Sequence, residues 1–320
     1  MPTILAHRLV DAHPRGARYS DAMRDDDAPE PLHIPDETVR ALLDEQMPQF
    51  AEVELGRRYT LEDHMAIRIG DHYGALLPRV AHLDPLYARV TDLIAEPSRH
   101  WSFPSSHPIA MGTPGHGYPF HWTLVRWNSG STAGFVPLHQ HAVGDLGRAV
   151  REIHQPAPPG AALSPTTGHG LEVLRERFER LIDVALAKGA PENRELDPSV
   201  VHRIFDAGAQ APVDRGPHWT HGRLEPRAVQ SDQGEFAGIL IWHNFGAGDP
   251  AADLGYAANL VPLDALDEYR TGYGEVSDAT LARARAFQVF AALGYIYYDE
   301  PFLLRMAWER LIELGAVKGG

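Results

Sequence analysis

Apolar positions in the first third of the chain change their period several times, and each change predicts an element. Pro35 and Asp36 open a helix whose Val39, Leu42, Leu43 and Met47 share one face. His64-Met-Ala-Ile-Arg-Ile69 and Tyr73-Gly-Ala-Leu-Leu77 alternate as strands, with Gly70-Asp71, beside His72, as the hairpin turn. Asp84-Pro85 opens a second helix carrying Leu86, Val90, Leu93 and Ile94. The segment from Pro97 to Pro119 is rich in Pro and Gly, and Trp122 to Trp127 reads as another strand.

After Asn128-Ser-Gly130 the pattern turns helical. Gly144 to His154 places Leu146, Val150 and Ile153 in register, and Leu171 to Lys188 and Pro198 to Ala209 are amphipathic. A loop rich in Pro, Gly and Thr spans Pro156 to Gly170. Ala228 to Gln230 and Gly238 to Trp242 read as strands around the turn Asp232-Gln-Gly, and Ala251 to Leu314 is mainly helical. No fixed-period repeat is present. The expected organisation is an acidic arm or linker over 1–31, a lobe with a helix and an antiparallel sheet over 32–127, and a larger helical lobe over 128–320. The fold class is α+β, with a domain-closing hinge expected at Trp127 to Gly130.

Composition narrows the function. The 320 residues carry 29 Lys and Arg against 43 Asp and Glu, a net charge of −14, which excludes a generally basic nucleic-acid binder. With no Cys there is no disulfide, thiolate metal site or Cys nucleophile. No apolar run reaches the ~20 residues of a membrane-spanning helix, and the first residues lack a signal-peptide layout, so the expected location is the cytoplasm. There are 18 His, a load that asks for a reason.

Four ordered segments resemble the aminoglycoside phosphotransferase family, small-molecule kinases with a protein-kinase-like bilobal fold. Gly117 to Trp127 resembles the strand leading to the hinge, and Leu77-Pro78-Arg79 the end of the third strand. Trp219-Thr-His221-Gly222-Arg-Leu-Glu-Pro226 resembles the catalytic loop, usually W-x-H-G-D-L-H-P-x-N, and Gly248-Asp249-Pro250-Ala-Ala-Asp253-Leu254 the G-D-P-A-x-D-L segment. The resemblance covers roughly residues 32 to 310.

That resemblance implies phosphoryl transfer, which needs a strand cation with its helix Glu, a catalytic Asp, an Asn and a second Asp for Mg²⁺. In this sequence those roles fall at Leu76, at Val90 or Ala88, and at Arg223, Ala228 and Ile241. The phosphate loop falls at Thr60-Leu61-Glu62-Asp63, which lacks glycine. Ile241 offers no oxygen to Mg²⁺. Arg223 sets a cation where metal would sit, and two like charges ~4 Å apart repel by ~4 kcal/mol at an effective dielectric of ~20. The expectation is a degenerate family member, a pseudokinase without conventional kinase chemistry.

Candidate residues of the remodelled cleft are Arg223, Glu225 and His243 for chemistry, and Arg227, His218, Trp242 and Asn244 for ligand binding. The resemblance assigns His221 and Asp249 to loop structure. Arg223 and Glu225 read either as an internal salt bridge or as part of an anion site. His243 with Glu225 could form an acid–base pair. His218, His221, Glu225 and His243 have ligand types suited to zinc but match no named motif, so no metal is expected. The remaining histidines, including His139 and His141, His100, His107, His116 and His121, read as surface or packing residues, and His154 as structural. Phe287 to Tyr298 reads as core or a dimer face. Three functions remain open: a ligand-binding pseudokinase, a repurposed enzyme running non-phosphoryl acid–base chemistry, and an active phosphotransferase of unusual design. No cofactor is expected, ATP and Mg²⁺ belonging only to the last of these. The expected partner is a small molecule, an anion by the chemistry of the arginines; nucleic acid and membrane are excluded, and an oligomer is left open.

Overall fold

The apolar face of the first helix needs a partner, and a sheet provides it. A computed structural model describes residues 30–61, 63–298 and 300–319; the arm expected over 1–31 lies outside them except for its last two positions. Helix α1 (Asp36–Gln46) buries Val39, Leu42 and Leu43. They pack with Met65, Ile67, Ile69, Leu77, Trp122 and Leu124 in a small N-terminal core. The sheet is antiparallel throughout, in the order β1 (Leu55–Thr60), β2 (His64–Ile69), β3 (Tyr73–Pro78), β5 (Trp122–Arg126), β4 (Pro108–Gly112). The β2–β3 hairpin closes at Ile69 opposite Tyr73, as the alternation predicts.

Two strands depart from expectation. β1 is an edge strand with mostly exposed residues, so it carries no apolar alternation to read. β4 arises inside the Pro- and Gly-rich segment, held there by its pairing to β5.

Helix α2 (Asp84–Ala95) follows β3, but its Val90 and Ile94 belong to the larger C-terminal core. β6 (Ser131–Thr132) follows the hinge, then α3 (Gln140–Ile153), which starts before the expected Gly144 because Ala142 and Val143 are also buried. α4 (Arg175–Lys188), β7 (Glu195–Leu196) and α5 (Pro198–Gln210) lead to β8 (His218–Thr220), β9 (Val229–Asp232) and β10 (Glu235–Ile239). β9 pairs with both β10 and β6. The expected strand to Trp242 ends at Ile239, since Ile241 turns left-handed with φ 62°. β11 (Gly246–Gly248) pairs with β8. Helices α6 (Pro250–Ala258), α7 (Leu266–Tyr273), α8 (Asp278–Tyr298) and α9 (Pro301–Glu313) complete the lower part, and β12 (Val317–Lys318) pairs with β7. Most of Phe287 to Tyr298 is buried within the chain, on several faces of α8, so the segment is core. Among the described residues no helix is long and apolar enough to cross a membrane.

Candidate active site

The loop Trp219–Pro226 leaves β8 beneath the sheet and is held by a carboxylate buried in α6. Asp253 is fully buried and accepts hydrogen bonds from the His221 N–H at 2.6 Å and the Gly222 N–H at 3.0 Å. His154 Nε2–H donates to the same carboxylate at 3.2 Å, and the Tyr273 hydroxyl donates to His154 Nδ1 at 2.9 Å. Gly222 adopts φ +92°, and a Cβ there would lie 2.4 Å from the Asn244 carbonyl oxygen, so the loop needs glycine at this point. The loop 156–170, which carried no readable signal, supplies further clamps. The Thr166 hydroxyl bonds the Gly222 carbonyl, and Thr167 Oγ1 meets Thr220 Oγ1 at 2.7 Å.

The loop brace expected at Asp249 is thus corrected to Asp253. Asp249 instead caps α6 by accepting from the Ala251 N–H at 3.0 Å and pairs with Arg283 at 2.7 Å. It sits at the N-cap position, where its carboxyl reaches its own helix and Arg283 of α8. His221 is buried, as a structural residue should be: its Nε2–H donates to the Leu240 carbonyl at 2.8 Å and its Nδ1 accepts from the Arg223 N–H at 3.3 Å. Burial pushes its pKa down.

Arg223 and Glu225 come together. Arg223 Nε–H donates to Glu225 Oε2 at 3.0 Å and its terminal N–H to the Tyr298 hydroxyl at 3.2 Å, with both charged side chains largely buried. Arg227 pairs with Glu300. Ala228 and Leu76, where the resemblance expects the Asn and the strand cation, bring no polar side chain, and Val90 lies in the large core. Arg79, the cation at the end of β3, donates to backbone, from Nε to the Leu32 carbonyl at 2.8 Å and to the Leu61 carbonyl.

Other expected site residues do not converge. Trp242 stacks on Trp101 at 4.5 Å between ring centroids and makes an edge contact with Phe245, a core position rather than a ligand contact. Asn244 is buried, and His218 Nδ1–H donates to the Gly216 carbonyl at 2.7 Å. Among the described residues no three of His218, His221, Glu225 and His243 bring their ligand atoms within 4.8 Å of one another, so the zinc grouping is not assembled. Nor does His243 hydrogen-bond Glu225. Its ring stacks on Tyr87 of α2 at 5.7 Å and meets His64 of β2 edge-on at 6.3 Å. Its Nδ1 has no hydrogen-bond partner among the described residues, and burial pushes its pKa down to about 3.

This aromatic group was not foreseen in the sequence, because its members lie on three distant elements. Asp63 completes it, bonded to His64 Nδ1 at 2.7 Å. Burial works against the Asp63 charge, but the His64 ring and the field of His243 hold its carboxyl well below the usual range. At the position where the resemblance expects the phosphate loop, the Leu61 N–H donates to the His64 carbonyl at 2.9 Å. A further clamp joins α2 to the lower lobe, where Arg89 donates to the Leu163 carbonyl at 3.1 Å. A cavity of about 630 Å³ opens elsewhere, between α2, the segment 98–109, Arg126 at the end of β5 and Asn128 just beyond it, and none of the loop residues lines it.

Residues 67–287, more than half of the chain, match the model of the phosphotransferase enzyme family. The chain belongs to this family. No curated protein matches it in sequence. Its fold is similar to that of aminoglycoside 2'-phosphotransferase-IIIa in its GDP complex, at 16% identity and TM-score 0.57 over 88% of this chain and 99% of that one. It is also similar to macrolide 2'-phosphotransferase MphH from Brachybacterium faecium, at 18% and 0.50 over 84% and 96%. A third likeness is to aminoglycoside phosphotransferase APH(3'')-Id from Streptomyces rimosus, at 18% and 0.53 over 82% and 99%. At these identities the likeness is one of fold, the kinase-like arrangement of an antiparallel sheet above a helical lobe, and a fold does not fix the reaction.

Proposed function

We propose that this phosphotransferase-family protein carries out no Mg-ATP phosphoryl transfer and instead binds a small anionic molecule. The observation that carries the reading is Arg223, at the position of the catalytic Asp, ion-paired with Glu225 at 3.0 Å. A cation held by its own glutamate neither accepts a proton from an alcohol nor tolerates a metal beside it. The cluster Asp63, His64, Tyr87 and His243 supports the same reading, because packed rings stand near the positions where the family resemblance expects phosphates and metal. Arg223 and Arg227 already have carboxylate partners, so an anion in the cleft would have to displace Glu225 or Glu300. The cavity beside the hinge, lined by Arg99, Arg126 and His107, is the better candidate for the ligand.

Acid–base chemistry at His243 is disfavoured by its depressed pKa of about 3, far from the value a general base needs near neutral pH. The test is calorimetry and thermal shift with ATP and Mg²⁺, then with small carboxylates and phosphates, and a phosphate-transfer assay on aminoglycoside and macrolide alcohols. The expected result is no metal-dependent nucleotide binding and no transfer, with stabilisation by an anion that Arg126→Ala abolishes. Mg²⁺-dependent transfer to any alcohol would overturn the reading.

A further inference from the structure

Away from the cleft, His139, His141 and Glu235 form the only group of three or more potential metal ligands among the described residues, with ligand atoms all within 4.8 Å of one another. His139 immediately precedes α3, His141 lies in its first turn, and Glu235 opens β10. Backbone contacts set their positions. The His139 N–H donates to the Gly234 carbonyl at 2.8 Å. Gly234 adopts φ +93°, and a Cβ on it would lie 2.4 Å from the His139 ring, so the ring lies directly against this glycine.

His141 Nε2 stands 2.8 Å and His139 Nδ1 3.4 Å from the same Glu235 oxygen. Donor atoms bound tetrahedrally at about 2.0–2.1 Å from one ion stand roughly 3.3 Å apart. Both His–Glu235 spacings lie near that value, and the two imidazole donors stand within 4.8 Å of each other, so side-chain rotation would bring all three around one ion. Ordinary His–Glu pairs in this protein, such as His116 with Glu45 at 2.7 Å, have only two members.

We propose that His139, His141 and Glu235 form a surface site for a divalent transition metal, zinc, with a fourth position open to water or a small anion. The two imidazoles are borderline ligands that suit zinc, and a single carboxylate is too few oxygens for Mg²⁺ or Ca²⁺, which take oxygen ligands. Three protein ligands make an exchangeable open site rather than a closed structural one. The positive end of the α3 dipole opposes a cation there, by less than about tenfold in affinity. All three side chains are exposed, so the ion has direct access. A bound ion would tie the β9–β10 hairpin, whose β9 strand pairs with β6 just after the hinge, to the start of α3.

The test is titration of the tag-free full chain with zinc chloride, with Mg²⁺ and Ca²⁺ as controls and with Co²⁺ as a spectroscopic probe. One zinc per chain is expected, with affinity on the order of micromolar and a tetrahedral Co²⁺ absorption band. His141→Ala and Glu235→Ala should each weaken zinc at least tenfold while leaving the metal-free melting temperature within a degree or two. His116→Ala should leave zinc binding unchanged. Equal affinity in all variants, an equal loss in His116→Ala, or no saturable binding would overturn the proposal.

Discussion

At Asp253 the protein holds a loop by two backbone amides and a buried histidine; at Arg223, two residues beyond His221, it sets an arginine against a glutamate. The two regions share one loop. In the first the residues serve geometry, and they match the family pattern down to His221, Gly222, Pro250 and Asp253. In the second they bear on chemistry, where Arg223, Ala228, Ile241 and Leu76 stand at the positions to which the resemblance assigns the roles of phosphoryl transfer. The loop scaffold is independent of the side chains the loop displays, because a buried carboxylate on backbone amides stabilises the fold whatever they are.

The comparison can be broken most forcefully at Asp253. Asp253→Ala leaves two buried amides and the His154 Nε2–H unpartnered and should lower stability by about 3 kcal/mol or more, read by urea unfolding. A loss under about 1 kcal/mol would mean that the scaffold rests elsewhere. Next comes the ion pair. Glu225→Leu strands a largely buried guanidinium and should cost about 2–3 kcal/mol, whereas Arg223→Met with Glu225→Leu should recover most of it. If the double variant is no better than the single, the pair is not the internal compensation described above.

A third effect is pH dependence. His243 in the folded chain titrates at about 3 against an ordinary 6.5, so between those values the unfolded state binds a proton that the folded state refuses. Stability should therefore fall as pH falls through this window, by at most about 1.4 kcal/mol per pH unit from this one site. His243→Leu should flatten the slope in melting temperature between about pH 6 and 4; an unchanged slope would assign it to other groups. The smallest effect is expected at Ile241, a β-branched residue at φ 62°. Ile241→Asn should raise stability by up to about 1 kcal/mol by relieving left-handed strain, measured by differential scanning calorimetry. A clear loss would show that side-chain packing outweighs the backbone cost there.

Much of this was legible in the chain because it is local. The stripe of Val39, Leu42 and Leu43 and the alternation around Gly70 need only neighbours in sequence, and both elements stand where the periods place them. The Arg223–Glu225 contact spans two residues and was one of the two readings available. Asp249 and Asp253 lie four residues apart in one motif, and sequence alone offers no means of telling which carboxylate faces the loop and which caps the helix. Trp242 sits among charged and polar candidates in sequence, yet its ring joins Trp101 across the fold. β1 and the clamps at Thr166 and Thr167 carry no apolar period, so nothing in the pattern announces them.

The sequence by itself determined the family, the α+β class and which residues stand at the motif positions, since these depend on residue identity at ordered spacings. Only the tertiary structure decided that Asp63, His64, Tyr87 and His243 pack into one group, and that His139, His141 and Glu235 meet at another. In both cases residues about 95 to 180 positions apart come into contact. Such contacts are set by how the sheet, α2 and the β9–β10 hairpin dock on one another, and burial over the whole chain drives that docking rather than any local preference.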